Sequence, residues 1–90
     1  MRTIWKYPLE ITDRQMLRIP QGPRILTVQI QDGAPMLWAM VDTSAGILWD
    51  VWIRIYGTGN PGTGPEEHYI ATFQKDGLVW HVFTTLEPRF

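Results

Sequence analysis

Arg24-Ile25-Leu26-Thr27-Val28-Gln29-Ile30-Gln31-Asp32-Gly33-Ala34-Pro35-Met36-Leu37-Trp38-Ala39-Met40-Val41 is the stretch that decides the fold class. Between Arg24 and Gln31 the side chains alternate, with Leu26, Val28 and Ile30 on one face and Thr27, Gln29 and Gln31 on the other. That two-residue period belongs to a β-strand with one face in a core. Asp32-Gly33 follows, and a tight hairpin turn needs such a pair because its central residues take positive φ. The returning segment Pro35 to Val41 is apolar at successive positions. A strand of that kind is covered on both sides, by a second layer or by another subunit.

The same punctuation recurs on either side. Thr3 to Tyr7 reads as a short strand ended by Pro8, and Gln15 to Ile19 as a second, with Leu17 and Ile19 on one face and Pro20 closing it. Gln21-Gly22-Pro23 is a turn, and Asp42 to Gly46 is a polar loop. Ile47 to Tyr56 is a long strand: Trp49, Val51, Ile53 and Ile55 share one face, while Leu48, Asp50, Trp52, Arg54 and Tyr56 share the other. Tyr69 to Gln74 and Leu78 to Thr85 are two further strands joined through Lys75-Asp76-Gly77, a second Asp-Gly hairpin signal. The tail Leu86 to Phe90 is expected along the surface. No segment shows the 3.6-residue period of an amphipathic helix. Six to seven short strands at roughly ten-residue spacing predict an all-β chain, a small single-domain antiparallel β-sandwich or partly open barrel over residues 1–90.

Ninety residues and 10.4 kDa suit one domain with a thin core. Hydrophobic residues at 44% and charged residues at 19% are globular rather than disordered proportions. Five Trp, three Tyr and three Phe are a heavy aromatic load. Such side chains either fill a small core or line an interface or pocket. A formal net charge of −1 argues against duplex nucleic acid as partner, for which a basic surface supplies most of the affinity. With no cysteine there is no disulfide, no thiolate metal ligand and no cysteine nucleophile. No apolar run approaches the length of a membrane span, and the first residues lack a signal peptide's apolar stretch, so a soluble intracellular protein is expected.

Few constellations carry chemistry. Gly57-Thr58-Gly59-Asn60-Pro61-Gly62-Thr63-Gly64-Pro65 holds four of the eight glycines. It is either a long connection or a binding loop whose backbone N–H groups cradle an anion. It lacks the Gly-Lys-Ser/Thr ending of a nucleotide-binding P-loop, and strands flank it where a dinucleotide fold needs a helix. His81 lies mid-strand among apolar neighbours, either as a hydrogen-bonded structural histidine or lining a cleft at the end of that loop. His68, after Glu66-Glu67, reads as a solvated edge. Ser44, the one serine, has no nucleophile elbow around it. Neither a metal nor a cofactor is implied. On the face of Asp50, Trp52, Arg54 and Tyr56 the aromatics flank a guanidinium, a set that can stack on a base or an aromatic partner residue while the guanidinium meets phosphate or carboxylate. The alternative is a ladder with Arg54 paired to Asp50 or Glu67. The candidate ligand-binding residues are therefore Trp52, Arg54, Thr58, Gly59, Asn60 and His81, with no catalytic set.

Six ordered motifs carry a resemblance: Ile4-Trp5-Lys6-Tyr7-Pro8-Leu9, Ile19-Pro20-Gln21-Gly22, Leu37 to Asp42, Gly57-Thr58-Gly59-Asn60-Pro61, Tyr69-Ile70-Ala71-Thr72-Phe73 and Val79-Trp80-His81-Val82-Phe83. Over nearly its whole length the chain resembles an uncharacterised family of roughly ninety-residue proteins of tailed bacteriophage and prophage-bearing bacterial genomes. Family members often carry His where this chain has Asn60. The resemblance implies phage origin and a setting in the cytoplasm of the host bacterium.

Together these readings give an expectation of a non-enzymatic phage accessory protein. It counters a host antiviral system by sequestering a small ligand, such as a nucleotide signal, as a homo-oligomer. One alternative is a protein–protein inhibitor or adaptor that docks an aromatic face such as Trp49/Trp52/Tyr56 on a bacterial host protein. Another is a minor structural component of the virion.

Overall fold

In the computed structural model, which describes residues 1–62, 64 and 66–85, seven antiparallel strands form two sheets. They are β1 (Arg2–Pro8), β2 (Arg14–Pro20), β3 (Arg24–Gln31), β4 (Ala34–Asp42), β5 (Leu48–Gly57), β6 (His68–Lys75) and β7 (Leu78–Thr84). One sheet has the order β1-β4-β3 and the other β2-β5-β7-β6. The chain thus crosses between layers after β1, β2 and β4, and β3 comes alongside β6 where the two layers meet at one corner. Among the described residues no helix is long and apolar enough to cross a membrane. The tail from 86 to 90 lies outside the described residues.

Both Asp-Gly turns behave as their chemistry requires. Asp32 and Gly33 have φ of 51° and 80°, and Asp76 and Gly77 have 54° and 78°. Two successive positive values close a two-residue hairpin with the twist of its flanking strands. The core lies between the sheets and is almost wholly aliphatic: Ile19, Leu37, Ile53, Val28, Val41, Val51 and Val82 are its largest fully enclosed side chains, and among the described residues Phe73 is its one buried aromatic. The Trp residues do not fill it. Trp49 and Trp80 pack only partly against it, while Trp5 and Trp52 stand at 42% and 37% exposure.

One expectation about faces changes. In β3 the register against β4 shifts between Ile25 and Thr27, a bulge that turns Leu26 outward (40% exposed) and lets Ile25 pack on the core together with Val28. Simple alternation had put Leu26, Val28 and Ile30 on one buried face. In β4 the inward set Pro35, Leu37, Ala39 and Val41 is buried. The outward set Met36, Trp38 and Met40 is half-buried, and Ile4 of β1, opposite Met40, is exposed.

Candidate functional site

β5 is the spine of the site. Its inward residues Val51, Ile53 and Ile55 are buried, so pleating turns Asp50, Trp52, Arg54 and Tyr56 to the outer face of the four-stranded sheet. Register then lines that face with neighbours from other strands: Arg14 opposite Arg54, Met16 opposite Trp52 and Arg18 opposite Asp50 from β2, and Phe83 opposite Arg54 and His81 opposite Tyr56 from β7. β6 adds Tyr69 opposite Phe83 and Thr72 opposite His81.

At the end of β5 the chain turns into the glycine-rich loop and folds back over this face. Asn60 N–H donates to the Gly57 carbonyl (3.1 Å) and Thr58 N–H to the Val79 carbonyl (3.3 Å). Gly59 takes φ of +87°, a conformation that a side chain would strain. The result is an open concavity of about 510 Å³ lined by Tyr56, Gly57, Thr58, Gly59, Asn60, Gly62, His81 and Phe83. Ligand sites run to roughly 300–1,000 Å³. Its walls are of two kinds. Phe83 is packed edge-to-face against both Tyr56 (5.7 Å between centroids) and Tyr69 (5.6 Å). The other wall is polar: His81 Nε2 shares a hydrogen bond with Thr58 Oγ1 at 2.7 Å, and Nδ1 shares one with Thr72 Oγ1 at 3.1 Å. Thr72 Oγ1 in turn bonds the Tyr69 hydroxyl at 2.7 Å.

Tyr56 is fixed from three sides. Its hydroxyl donates to the Glu67 carboxylate, its face lies under the Arg54 guanidinium at 5.2 Å, and its edge meets Phe83. Burial first, then the bond to Glu67 and that group's charge, hold the phenol above its ordinary value of 10.0, so it is a neutral donor at physiological pH.

Of the residues singled out in the sequence, Thr58, Gly59, Asn60 and His81 meet in the concavity. Arg54 stands beside it on Tyr56, bonded through Nε to the Asp13 carbonyl (2.9 Å). Trp52 lies farther along β5 with the Arg14 guanidinium 4.5 Å over its ring and does not line the space. The ladder alternative fails: Asp50 pairs with Arg18 (3.4 Å) and Glu67 is bonded to Tyr56, so Arg54 meets neither. Trp49 packs inward and is not part of an aromatic face with Trp52 and Tyr56. His68 is not a solvated edge either; it is half-buried and its Nε2 is out of solvent. Ser44 Oγ bonds the Asp42 carboxylate at 2.6 Å. Tyr56, Gly57, Gly62 and Phe83 also line the space and were not among the ligand-binding candidates. Phe83 was legible, since it stands two places after His81 on the same face of β7. Among the described residues no three His, Asp or Glu side chains converge as a metal site requires.

The model of a family described as "Domain of unknown function (DUF7352)" matches residues 1–89. No curated protein and no solved structure matches the chain.

Proposed function

The chain belongs to that family, and from the chemistry of its site we propose that it is a non-enzymatic binding protein that sequesters a small ligand of nucleotide type. The observation that carries this reading is the concavity itself, where glycine-rich backbone, two aromatic rings and the hydroxyl, amide and imidazole of Thr58, Asn60 and His81 converge. Aromatic rings beside placed hydrogen-bonding groups supply the contact and the orientation that a small-molecule site needs. The lining supports binding over turnover, because both His81 nitrogens are engaged by threonine hydroxyls. The resemblance of the six motifs to those of phage proteins supports a role as an accessory factor against a host antiviral system in the bacterial cytoplasm. Homo-oligomerisation is supported by the apolar outer face of the three-stranded sheet, where exposed Ile4 adjoins the half-buried Met36, Trp38 and Met40.

Native mass spectrometry of the protein purified from bacterial cells tests the reading, with the denatured mass as reference. The expected result is a multimer carrying additional small-molecule mass that denaturation removes, with Asn60→Leu losing the added mass but not the fold. A folded species that retains nothing and binds no member of a nucleotide panel overturns it. The exposed Trp52 and Tyr69 (37% and 59%) favour a second reading, a protein partner docked on the same outer face. A stoichiometric protein captured from host lysate and lost in Trp52→Ala supports that one.

A further inference from the structure

The β2–β5 register sets Arg14 directly opposite Arg54 on the outer face of the four-stranded sheet. Like charges in that relation destabilise a sheet unless a counter-charge lies between them. No ion pair supplies one: among the described residues neither guanidinium has a carboxylate within ion-pair distance. The acids on this face are engaged elsewhere, Asp50 with Arg18 and Glu67 with Tyr56. Asp13 offers Arg54 its backbone carbonyl.

Each guanidinium instead lies on an aromatic ring, Arg14 on Trp52 at 4.5 Å and Arg54 on Tyr56 at 5.2 Å. Stacking fixes the plane of a guanidinium and leaves its N–H edges to meet an oxyanion in bidentate fashion. Arg54 bonds Asp13 through Nε alone, so its terminal amino groups remain available. Tyr56 belongs to both arrangements, since its ring carries Arg54 and also lines the concavity. The cationic pair and the ring-sized space are therefore contiguous.

We propose that Arg14 and Arg54 form a two-guanidinium oxyanion site beside the concavity, which makes the ligand class a nucleoside phosphate: base against Tyr56 and Phe83, phosphate on the arginines. This rests on the ligand-binding reading above and assigns the charged half of the ligand. The formal net charge of −1 gives no general attraction to polyanions, so the affinity for phosphate is local to the pair.

Calorimetric titration of the full chain with the four common nucleosides and their 5′-monophosphates tests it, using wild type, Arg14→Gln, Arg54→Gln and, on the opposite sheet, Arg24→Gln. At least one monophosphate is expected to bind tenfold or more tighter than its nucleoside to wild type. Arg14→Gln removes that gain while keeping the nucleoside affinity, and Arg24→Gln changes neither. A nucleoside that binds as tightly as its monophosphate, in wild type and Arg14→Gln alike, overturns the oxyanion site and leaves the concavity reading standing. Binding of none of the eight compounds overturns both. An oligothymidylate that binds tighter than every monophosphate transfers the face to single strands and overturns the assignment.

Discussion

The Tyr56 hydroxyl donates to the carboxylate of Glu67, with Oε2 at 2.7 Å, and so ties the end of β5 to the residue just before β6 across the whole glycine-rich loop. With Arg54 on its face and Phe83 at its edge, the ring is oriented before any ligand arrives. Such prior ordering lowers the conformational cost of binding.

Tyr56→Phe removes this tie and leaves a half-buried carboxylate without its donor. A hydrogen bond to a charged group contributes roughly 1.5–3 kcal/mol when enclosed, and partial exposure here lowers the expected loss to about 1 kcal/mol. Glu67→Gln should cost no more. Urea denaturation of the two single variants and the double variant closes a cycle with a coupling of about 1 kcal/mol. A coupling near zero would show that the bond contributes nothing to the folded state.

The same phenol predicts an alkaline limit. Its folded value lies above the unfolded 10.0, chiefly from burial, and Tyr7 is raised by burial as well. In the window between the two values the folded state holds protons that the unfolded chain has released. Stability is therefore undiminished below about pH 10 and falls as pH climbs through the folded values. Unfolding midpoints in urea between pH 8 and 11 should decline, with a shallower decline in Tyr56→Phe. A midpoint that rises over that range contradicts the assignment.

Gly57→Ala separates site from fold. A Cβ there would lie 3.0 Å from Asn60 Nδ2 and 3.5 Å from the Trp80 ring. The exposed Asn60 amide is the flexible neighbour and gives way, so stability should change by less than about 1 kcal/mol. Because the displaced amide lines the concavity, ligand affinity should fall several-fold. Paired thermal melts and calorimetric titrations read both; unchanged affinity with an intact fold would show that Asn60 does not touch the ligand.

Most of the architecture was legible because strand signals are local. Alternation around Val51, Ile53 and Ile55 identified the buried face of β5, and each Asp-Gly pair announced its hairpin. The bulge at Ile25/Thr27 was not legible, since it depends on how β3 registers against β4 and no residue type marks it. The site was half legible for a similar reason. Thr58, Asn60 and His81 stand out by residue type, but the opposition of Arg14 and Arg54 exists only through the pairing of β2 with β5, which are separated by two strands of the other sheet. The place of the Trp residues stayed open because their size suits either a core or a surface site, and the space between these thin layers is filled mainly by Ile, Val and Leu.

The bulge yields its own prediction. Leu37 is fully enclosed, and Leu37→Ala should cost about 2–5 kcal/mol through lost burial and the cavity left behind. A domain of this size has a total stability of only about 5–13 kcal/mol, so the variant sits near its unfolding limit. Leu26→Ala, the same chemical change on the face that alternation assigned to the core, should cost less than about 1 kcal/mol because the bulge has turned it to solvent. Comparable losses in chemical denaturation would place Leu26 inside and remove the bulge.

His81 is held in a line that runs from the Tyr69 hydroxyl through Thr72 Oγ1, both ring nitrogens and Thr58 Oγ1 to the Val79 carbonyl at 3.5 Å. Because the one Thr58 hydroxyl proton goes to the Val79 carbonyl, Thr58 Oγ1 accepts from Nε2–H, and Nδ1 in turn accepts from the Thr72 hydroxyl, so the line sets both the ring plane and the position of the proton. Thr72→Val preserves shape and leaves Nδ1 without its partner, at an expected cost of about 1 kcal/mol. Thr58→Val frees the opposite nitrogen on the side that faces the concavity, so its effect should fall on ligand affinity more than on stability. Nitrogen chemical shifts of the imidazole, with urea midpoints for both variants, distinguish the two roles. Equal stability losses with unchanged ring shifts would mean that the threonines pack beside His81 without orienting it.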